Sequence, residues 1–126
     1  MWTFRNFKRD EFVCPCGCGF DDVDPLIVTT LQRLRDEVQR PVVVNSGCRC
    51  KSHNAAVKGS KSSQHLRGKA ADIKIEGLTS IQIIDVIRRL YLDGEIYVGY
   101  VYAINGASVH VDVRAPQSQT VRRWTR

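Results

Sequence analysis

The chain has 126 residues, which is enough for one domain with a modest core, and we predict a single domain over residues 1–126. Its hydrophobic fraction of 43% and charged fraction of 25% are typical of a globular protein and exclude a disordered chain. The formal charge of +6 favours polyanionic partners, but it does not choose between nucleic acid, anionic lipid and the bacterial wall.

Membrane insertion and secretion by a leader are not expected. The sequence contains no apolar run that approaches the roughly 20 residues needed to cross a bilayer. Polar residues interrupt the apolar ones throughout the first eight residues, so the segment lacks the continuous apolar stretch of a signal peptide. We therefore expect a chain without a signal peptide that is cytoplasmic when synthesised.

Helical periodicity begins after an N-terminal arm, residues 1–23. Asp24 and Pro25 are typical of an N-cap and a first helical position. Apolar residues then recur at helical spacing from Ile27 to Val38, and Pro41 follows their end. These signals predict the first long helix.

A second long helix is predicted between Gly77 and Gly94. Thr79 or Ser80 can cap its first turn, and a glycine such as Gly94 commonly ends a helix. Its apolar face comprises Ile83, Ile84, Ile87, Leu90 and Tyr91.

Strand signals occur in four segments. The apolar run at 41–44 suits a short buried strand, and Ala70–Ile75 alternates with period two. Residues 96–104 and 107–114 predict a hairpin around Asn105-Gly106. Residues 45–65 read as loop with a short helix around 54–57. The whole predicts an α+β fold in which helices pack on a small, mainly antiparallel sheet.

The last predicted strand has one polar face, formed by Ser108, His110, Asp112 and Arg114. Such a row alone is typical of a solvated strand face. A two-residue turn at Asn105-Gly106 would place Val101 opposite His110 and Gly99 opposite Asp112. These small or apolar partners would leave room for a pocket over the polar face.

Three segments stand out in chain order: residues 46–49 (SGCR), residues 63–72 (SQHLRGKAAD) and residues 109–112 (VHVD). Together they resemble the M15 family of zinc peptidases. The second segment fits the family pattern Ser-x-His-x6-Asp, the first resembles its Ser-Gly-Tyr-Arg element, and the third resembles its last metal-binding strand. The resemblance covers roughly residues 25–124. It looks most like the short phage and bacterial branch, whose chains finish near an Arg-Trp pair, here Arg123-Trp124.

The resemblance implies a hedgehog/DD-peptidase-like fold and a D-Ala-D-Ala carboxypeptidase or L-Ala-D-Glu endopeptidase that acts on peptidoglycan stems through metal-activated water. It implies that His65, Asp72 and His110 bind one catalytic zinc ion, which matches the usual three protein ligands of a hydrolytic site. It also implies that Arg49 holds a substrate carboxylate, for which a guanidinium fork is well suited. His53 is not needed, and we expect it to serve the start of the short helix.

Two positions depart from the family pattern. Cys48 stands where tyrosine is common, and Ala107 stands where many relatives have an acidic base. Asp112 shares a strand face with His110 and is our candidate for the general base. The alternative is that Asp112 orients a metal ligand or pairs with Arg114.

The five cysteines form two groups: Cys14, Cys16 and Cys18 in the arm, and Cys48 and Cys50 ahead of the histidine loop. The odd count argues against a full disulfide framework. The spacing is short for a zinc finger. A second, structural zinc site, a disulfide such as Cys18 to Cys50, and free thiols all stay open.

The expected partner is a peptidoglycan peptide, and the expected state is a monomer or part of a phage particle, acting on the wall after phage lysis or as a virion component.

The rival interpretation is a non-catalytic, metal-containing module that binds cell wall or belongs to a phage structure, as Ala107 suggests. Nucleic-acid binding is not expected, because no tight basic patch with interleaved aromatics is evident. A non-haem iron triad is set aside, because no histidine follows Asp112.

Overall fold

The computed structural model describes residues 2–115 and 124–125. Within them lie three α-helices: α1 Pro25–Val38, α2 Lys51–Ala56 and α3 Ser80–Leu92. The strands are β1 Val42–Ser46, β2 Ala70–Ile75, β3 Val101–Ala103, β4 Ser108–Asp112 and β5 Trp124–Thr125. Two 3-10 helices are Arg9–Phe12 and Gln64–Arg67. The predicted α+β fold is confirmed.

The sheet has the strand order β1-β2-β4-β3-β5. Its first four strands are antiparallel to their neighbours, whereas β5 runs parallel to β3. The sheet is therefore mainly antiparallel, as predicted. The register of the central pair, β2 with β4, places Asp72 directly opposite His110.

Both long helices begin at predicted caps. The Asp24 side chain accepts a hydrogen bond from Leu26 N, with Pro25 in the first turn of α1. Thr79 and Gln82 form a reciprocal capping box at the start of α3. Such caps satisfy backbone N–H groups that have no partner inside the helix.

Four elements differ in extent from their predictions. The strand predicted over residues 96–104 is only β3 Val101–Ala103, and the strand predicted over residues 107–114 is β4 Ser108–Asp112. α2 begins three residues earlier than expected, because the Cys50 thiol caps it by accepting a hydrogen bond from His53 N. β1 continues past residue 44 to Ser46, which pairs with Asp72 across a bulge. That extension places the residues after β1 beside the polar end of β2.

The predicted hairpin register is wrong by one residue. Tyr102 pairs with His110, and Val101 pairs with Val111. Because side chains alternate between faces, this shift puts an aromatic ring over the polar face where an apolar Val101 was expected.

The physical reason is the side chain of Asn105. Its amide oxygen accepts hydrogen bonds from Ala107 N at 2.9 Å and Ser108 N at 2.8 Å. Ile104 N donates to Ser108 O, so the turn occupies residues 105–107 instead of two positions. An asparagine side chain that bonds the following backbone competes in this way with the tighter hairpin turn.

The core lies between the sheet and the two long helices, and it also receives aromatic side chains from the arm. Phe7 and Phe12 are almost fully buried, and the Trp2 ring packs at a tilt against the Phe12 ring, with centroids 6.2 Å apart. The remaining core members include Ile27, Leu31, Leu34, Ile73, Ile83, Ile84, Ile87, Leu90, Val109 and Val111. The arm is thus packed into the same core as the helices and strands.

At the C-terminus, Trp124 lies opposite Val101, whereas Arg123 and Pro116 fall outside the described residues. Within the part of the chain that the structure describes, no helix is both long and apolar enough to cross a membrane.

Gly68 holds the arm against the loop that leads into β2. Its φ is +67°, and an added Cβ would meet Asp22 O and Val23 Cα. We expect Gly68→Ala to lower the free energy of unfolding by roughly 2–5 kcal/mol, combining left-handed strain with overpacking. Gly94→Ala is the matched control, because φ is +76° there but nothing lies within 4 Å, and it should cost about 1–2 kcal/mol. Equilibrium denaturant unfolding measures both, and equal losses would contradict the contact.

Candidate metal centre

His65, Asp72 and His110 come together as one cluster whose potential ligand atoms all lie within 4.8 Å of one another. His65 Nε2 and His110 Nδ1 each lie 3.1 Å from the same oxygen, Asp72 Oδ1. The 3-10 helix before β2 carries His65, and the β2–β4 register supplies the other two.

Each histidine is held from behind by an acceptor. His65 Nδ1 lies 2.6 Å from Gly47 O, and His110 Nε2 lies 2.8 Å from Asp112 Oδ2. A carbonyl can only accept, so His65 Nδ1 carries a proton, and in the neutral ring Nε2 is then the nitrogen that can bind a metal. The Asp112 carboxylate likewise favours a proton on His110 Nε2, which leaves Nδ1 free to act as a ligand.

The cluster forms one wall of a cavity of about 470 Å³. Arg49 and Arg114 also line this cavity, together with the hairpin residues Tyr102, Ala103 and Ile104 and the loop residues Gly59, Ser60, Ser62, Ser63 and Gln64. Among the described residues around it, Asp72 is the sole carboxylate. The cavity therefore presents two cations and one potential metal centre to a bound molecule.

The sequence model of the family described as Peptidase M15 matches residues 5–112. The chain belongs to the peptidase M15 family. The match includes the cysteine-rich arm and stops before Arg123-Trp124, unlike the expected range of 25–124. No curated protein matches the chain at a significant level. As an M15 peptidase, the chain is a hydrolase that acts on peptides, and M15 peptidases depend on zinc.

The donor set of this M15 peptidase fits zinc. Two imidazole nitrogens and one carboxylate oxygen are a common ligand set for hydrolytic zinc, with a further position left for water. Both rings are almost fully buried, and in the neutral form of each ring the nitrogen that faces the cluster is the one with a free lone pair. Residues His65, Asp72 and His110 could therefore hold the ion beside the cavity.

Asp72 is ionised in this arrangement. Burial would raise its pKa, but the contacts with the His110 and His65 imidazoles outweigh burial and hold the pKa well below its usual range. Its second oxygen, Oδ2, accepts a hydrogen bond from Arg49 Nη2 at 3.2 Å. One carboxylate thus links both histidines to the arginine.

Arg49 is fixed by three acceptors. Besides Asp72, its Nε donates to Ser46 Oγ at 3.1 Å and its Nη1 donates to Asn54 Oδ1 at 3.2 Å. These contacts use three of the five N–H donors of a guanidinium, and each terminal nitrogen carries a second N–H. The fork is therefore held rigidly at the cavity wall next to Asp72.

Asp112 lies behind His110 and not in the cavity, and its exposed fraction is 0%. It accepts hydrogen bonds from Arg114 Nη2 at 2.6 Å and from Tyr100 N at 3.0 Å, in addition to His110. Burial opposes ionisation, but these donors lower its pKa to about 2. Burial of the His110 ring would lower the pKa of His110, but its contacts with Asp112 and Asp72 raise that pKa overall.

Two cavity residues were not anticipated as site residues. Tyr102 stacks on His110 with ring centroids 4.5 Å apart and an interplanar angle of 13°. Arg114, which the strand alternation had placed on the polar face, reaches the cavity and lies over Tyr100. A correct hairpin register would have identified Tyr102. Ala107 is exposed in the turn and is not among the residues around the cavity.

All five cysteines are free thiols in the structure. Four of them, Cys14, Cys16, Cys18 and Cys50, form a second cluster of potential ligands. Cys48 is fully buried in the core, where burial raises the pKa of its thiol to about 11. At the position where relatives carry tyrosine, this chain therefore has a neutral core residue, and Cys48 does not line the cavity.

Proposed function

We propose that this M15 peptidase hydrolyses the peptide stems of bacterial peptidoglycan, with His65, Asp72 and His110 as the ligands of a catalytic zinc ion. The observation that carries the proposal is the convergence of three ligand atoms on the wall of an open cavity. When bound there, zinc supplies Lewis acidity that activates water and polarises the scissile carbonyl.

The chain's own contribution is to hold the ligands in one orientation. Gly47 O and Asp112 restrain the two imidazoles, and Arg49 restrains the carboxylate. Ligands fixed by such partners bind metal more tightly than ligands that must be ordered on binding. The arrangement supports a metal centre that is formed before substrate arrives.

Arg49 is proposed to bind a substrate carboxylate. It lines the cavity and lies 3.2 Å from Asp72, so an anion that it holds would lie close to the metal ligands. A D-Ala-D-Ala stem and an L-Ala-γ-D-Glu stem both carry a free α-carboxylate on the residue that follows the cut bond. The position of Arg49 therefore supports either a carboxypeptidase or an endopeptidase of these two types.

Asp112 is proposed to position His110. Its complete burial and its bonds to His110 and Arg114 support this role more than that of general base. A general base needs direct or single-water contact with the proton that it removes.

A second candidate function is a non-catalytic module that binds peptidoglycan. Asp72 is the sole carboxylate among the described residues around the cavity, and it is engaged by both histidines and Arg49. No second carboxylate there is placed to accept a proton from water. Purified peptidoglycan separates the two functions, because a module would co-sediment with it and release no fragments.

The histidine prediction concerns metal and activity together. His65→Ala and His110→Ala should each lose one zinc ion per chain and hydrolysis of purified peptidoglycan, because each removes one of three ligands. His53→Ala is the matched control, since His53 lies on α2 outside the cluster and should retain both. Metal analysis and mass spectrometry of released fragments, with and without chelator, give the readouts. Full zinc retention in either ligand variant would contradict the assignment.

The Arg49 prediction compares a stem peptide that has a free α-carboxylate with the same peptide carrying an amide. The wild-type protein should prefer the free acid, and Arg49→Lys should reduce kcat/KM for the acid by about 10- to 150-fold, or roughly 1.5–3 kcal/mol. At saturating zinc, the zinc content should be unchanged. Arg67→Lys is the control, because Arg67 is exposed and lies outside the cavity. An unchanged preference for the acid would exclude the carboxylate contact.

The Asp112 prediction separates its two possible roles. If Asp112 positions His110, Asp112→Asn should weaken zinc affinity by roughly 10- to 100-fold, because the imidazole loses its charged partner. If Asp112 were the base, turnover would fall by about 10²- to 10⁴-fold with zinc affinity intact. Zinc titration and turnover at saturating zinc measure the two effects separately. Asp10→Asn, an exposed carboxylate of the arm, should change neither.

A further inference from the structure

A second ligand cluster joins the arm to the loop after β1. The Sγ atoms of Cys14, Cys16, Cys18 and Cys50 all lie within 4.8 Å of one another, and the cluster shares no residue with the histidine site. We propose that these four thiolates bind one structural zinc ion, separate from the catalytic centre.

The spacing of the sulfurs supports a tetrahedral ion. Zinc–sulfur bonds of about 2.3 Å place the four sulfurs of a tetrahedral site about 3.8 Å apart. The Cys14–Cys16 and Cys16–Cys50 sulfur pairs are both 3.5 Å apart. Four protein ligands leave no position for water, which is the arrangement of structural and not of hydrolytic zinc.

Backbone N–H groups already point at the sulfurs. Cys50 N donates to Cys14 Sγ at 3.4 Å, His53 N donates to Cys50 Sγ at 3.4 Å, and Phe20 N donates to Cys18 Sγ at 3.5 Å. Hydrogen bonds of this kind stabilise the negative charge of metal-bound thiolates. Three of the four sulfurs therefore each have a backbone N–H donor that a metal-bound thiolate could use.

The local backbone explains how such closely spaced cysteines can share one ion. Gly17 and Gly19 have φ values of +88° and +86°, a left-handed conformation that curls the segment around its three sulfurs. The fourth ligand comes from the start of α2. The short spacing that argued against a zinc finger is thus accommodated by a turn that glycine permits.

The proposed ion would connect the arm to the loop after β1, which carries Arg49 and Gly47. Cys50 directly follows Arg49, and Cys48 N donates to Phe12 O at 2.8 Å. Phe12 also packs against Gly47, whose carbonyl holds His65. A fixed arm therefore stabilises the loop that orients one histidine and carries the cavity arginine.

The first test is metal stoichiometry of the full chain loaded with zinc. The wild-type protein should bind two zinc ions per chain, and Cys18→Ser should bind one, because it loses a sulfur ligand. Cys48→Ala is the matched control: it also removes one thiol, but that thiol lies outside the cluster, so two ions should remain. A Cys18→Ser protein that binds as many zinc ions as the wild-type protein, whether one or two, would overturn the proposal.

Cobalt loading distinguishes this site from the catalytic one. The wild-type protein should show intense sulfur-to-cobalt absorption in the near ultraviolet, and a His65→Ala, His110→Ala double variant should retain it. Cys18→Ser should lose it. Failure of the catalytic proposal leaves this result unaffected, whereas a wild-type protein without the absorption overturns the structural site even if Cys18→Ser does not fold.

A count of free thiols in denatured, metal-free and unreduced protein is the third test. Three thiols instead of five would show a disulfide and would overturn the structural zinc site as well.

Discussion

The metal centre depends on one shared carboxylate. Asp72 contacts both histidines through Oδ1 and Arg49 through Oδ2, so a single side chain joins β2, β4, the 3-10 helix and the loop after β1. Its position follows from the pairing of β2 with β4. The buried neighbours Ala71 and Ile73 hold that register, because a one-residue slip would turn them to the polar face. Core packing and ligand geometry are therefore set by the same alternation.

Burying two histidines is acceptable here because each ring has a partner on both sides. An unpaired buried polar group would cost roughly 1–3 kcal/mol, and the chain avoids this cost with Gly47 O and Asp112. Asp112 is in turn held by Arg114, which lies over the Tyr100 ring. The support for the ligands thus extends outward through charged and aromatic contacts to the edge of the cavity.

Much of this could be predicted from local sequence. Asp24, Pro25 and Thr79 mark helix starts through hydrogen bonds made within a few residues, and β2 shows clear alternation. The three clustered residues were identified by an ordered motif. The hairpin register was not predicted correctly. It depends on two hydrogen bonds that the Asn105 side chain accepts from the backbone, and these compete with a tighter turn. Nor could strand alternation distinguish a cavity-facing Asp112 from a buried one, since that depends on what lies across the strand.

The packing of Phe12 on Gly47 determines how much of the chain is needed to keep the candidate metal centre intact. A boundary drawn at the first long helix would keep every histidine and both cavity arginines, yet it would remove the surface against which the Gly47 carbonyl is set. The arm is therefore part of the packed interior beside Gly47, although it is the first segment of the chain. In engineering terms, residues 2–23 belong to the scaffold of the candidate metal centre, and a shortened version of this chain would need a substitute for them.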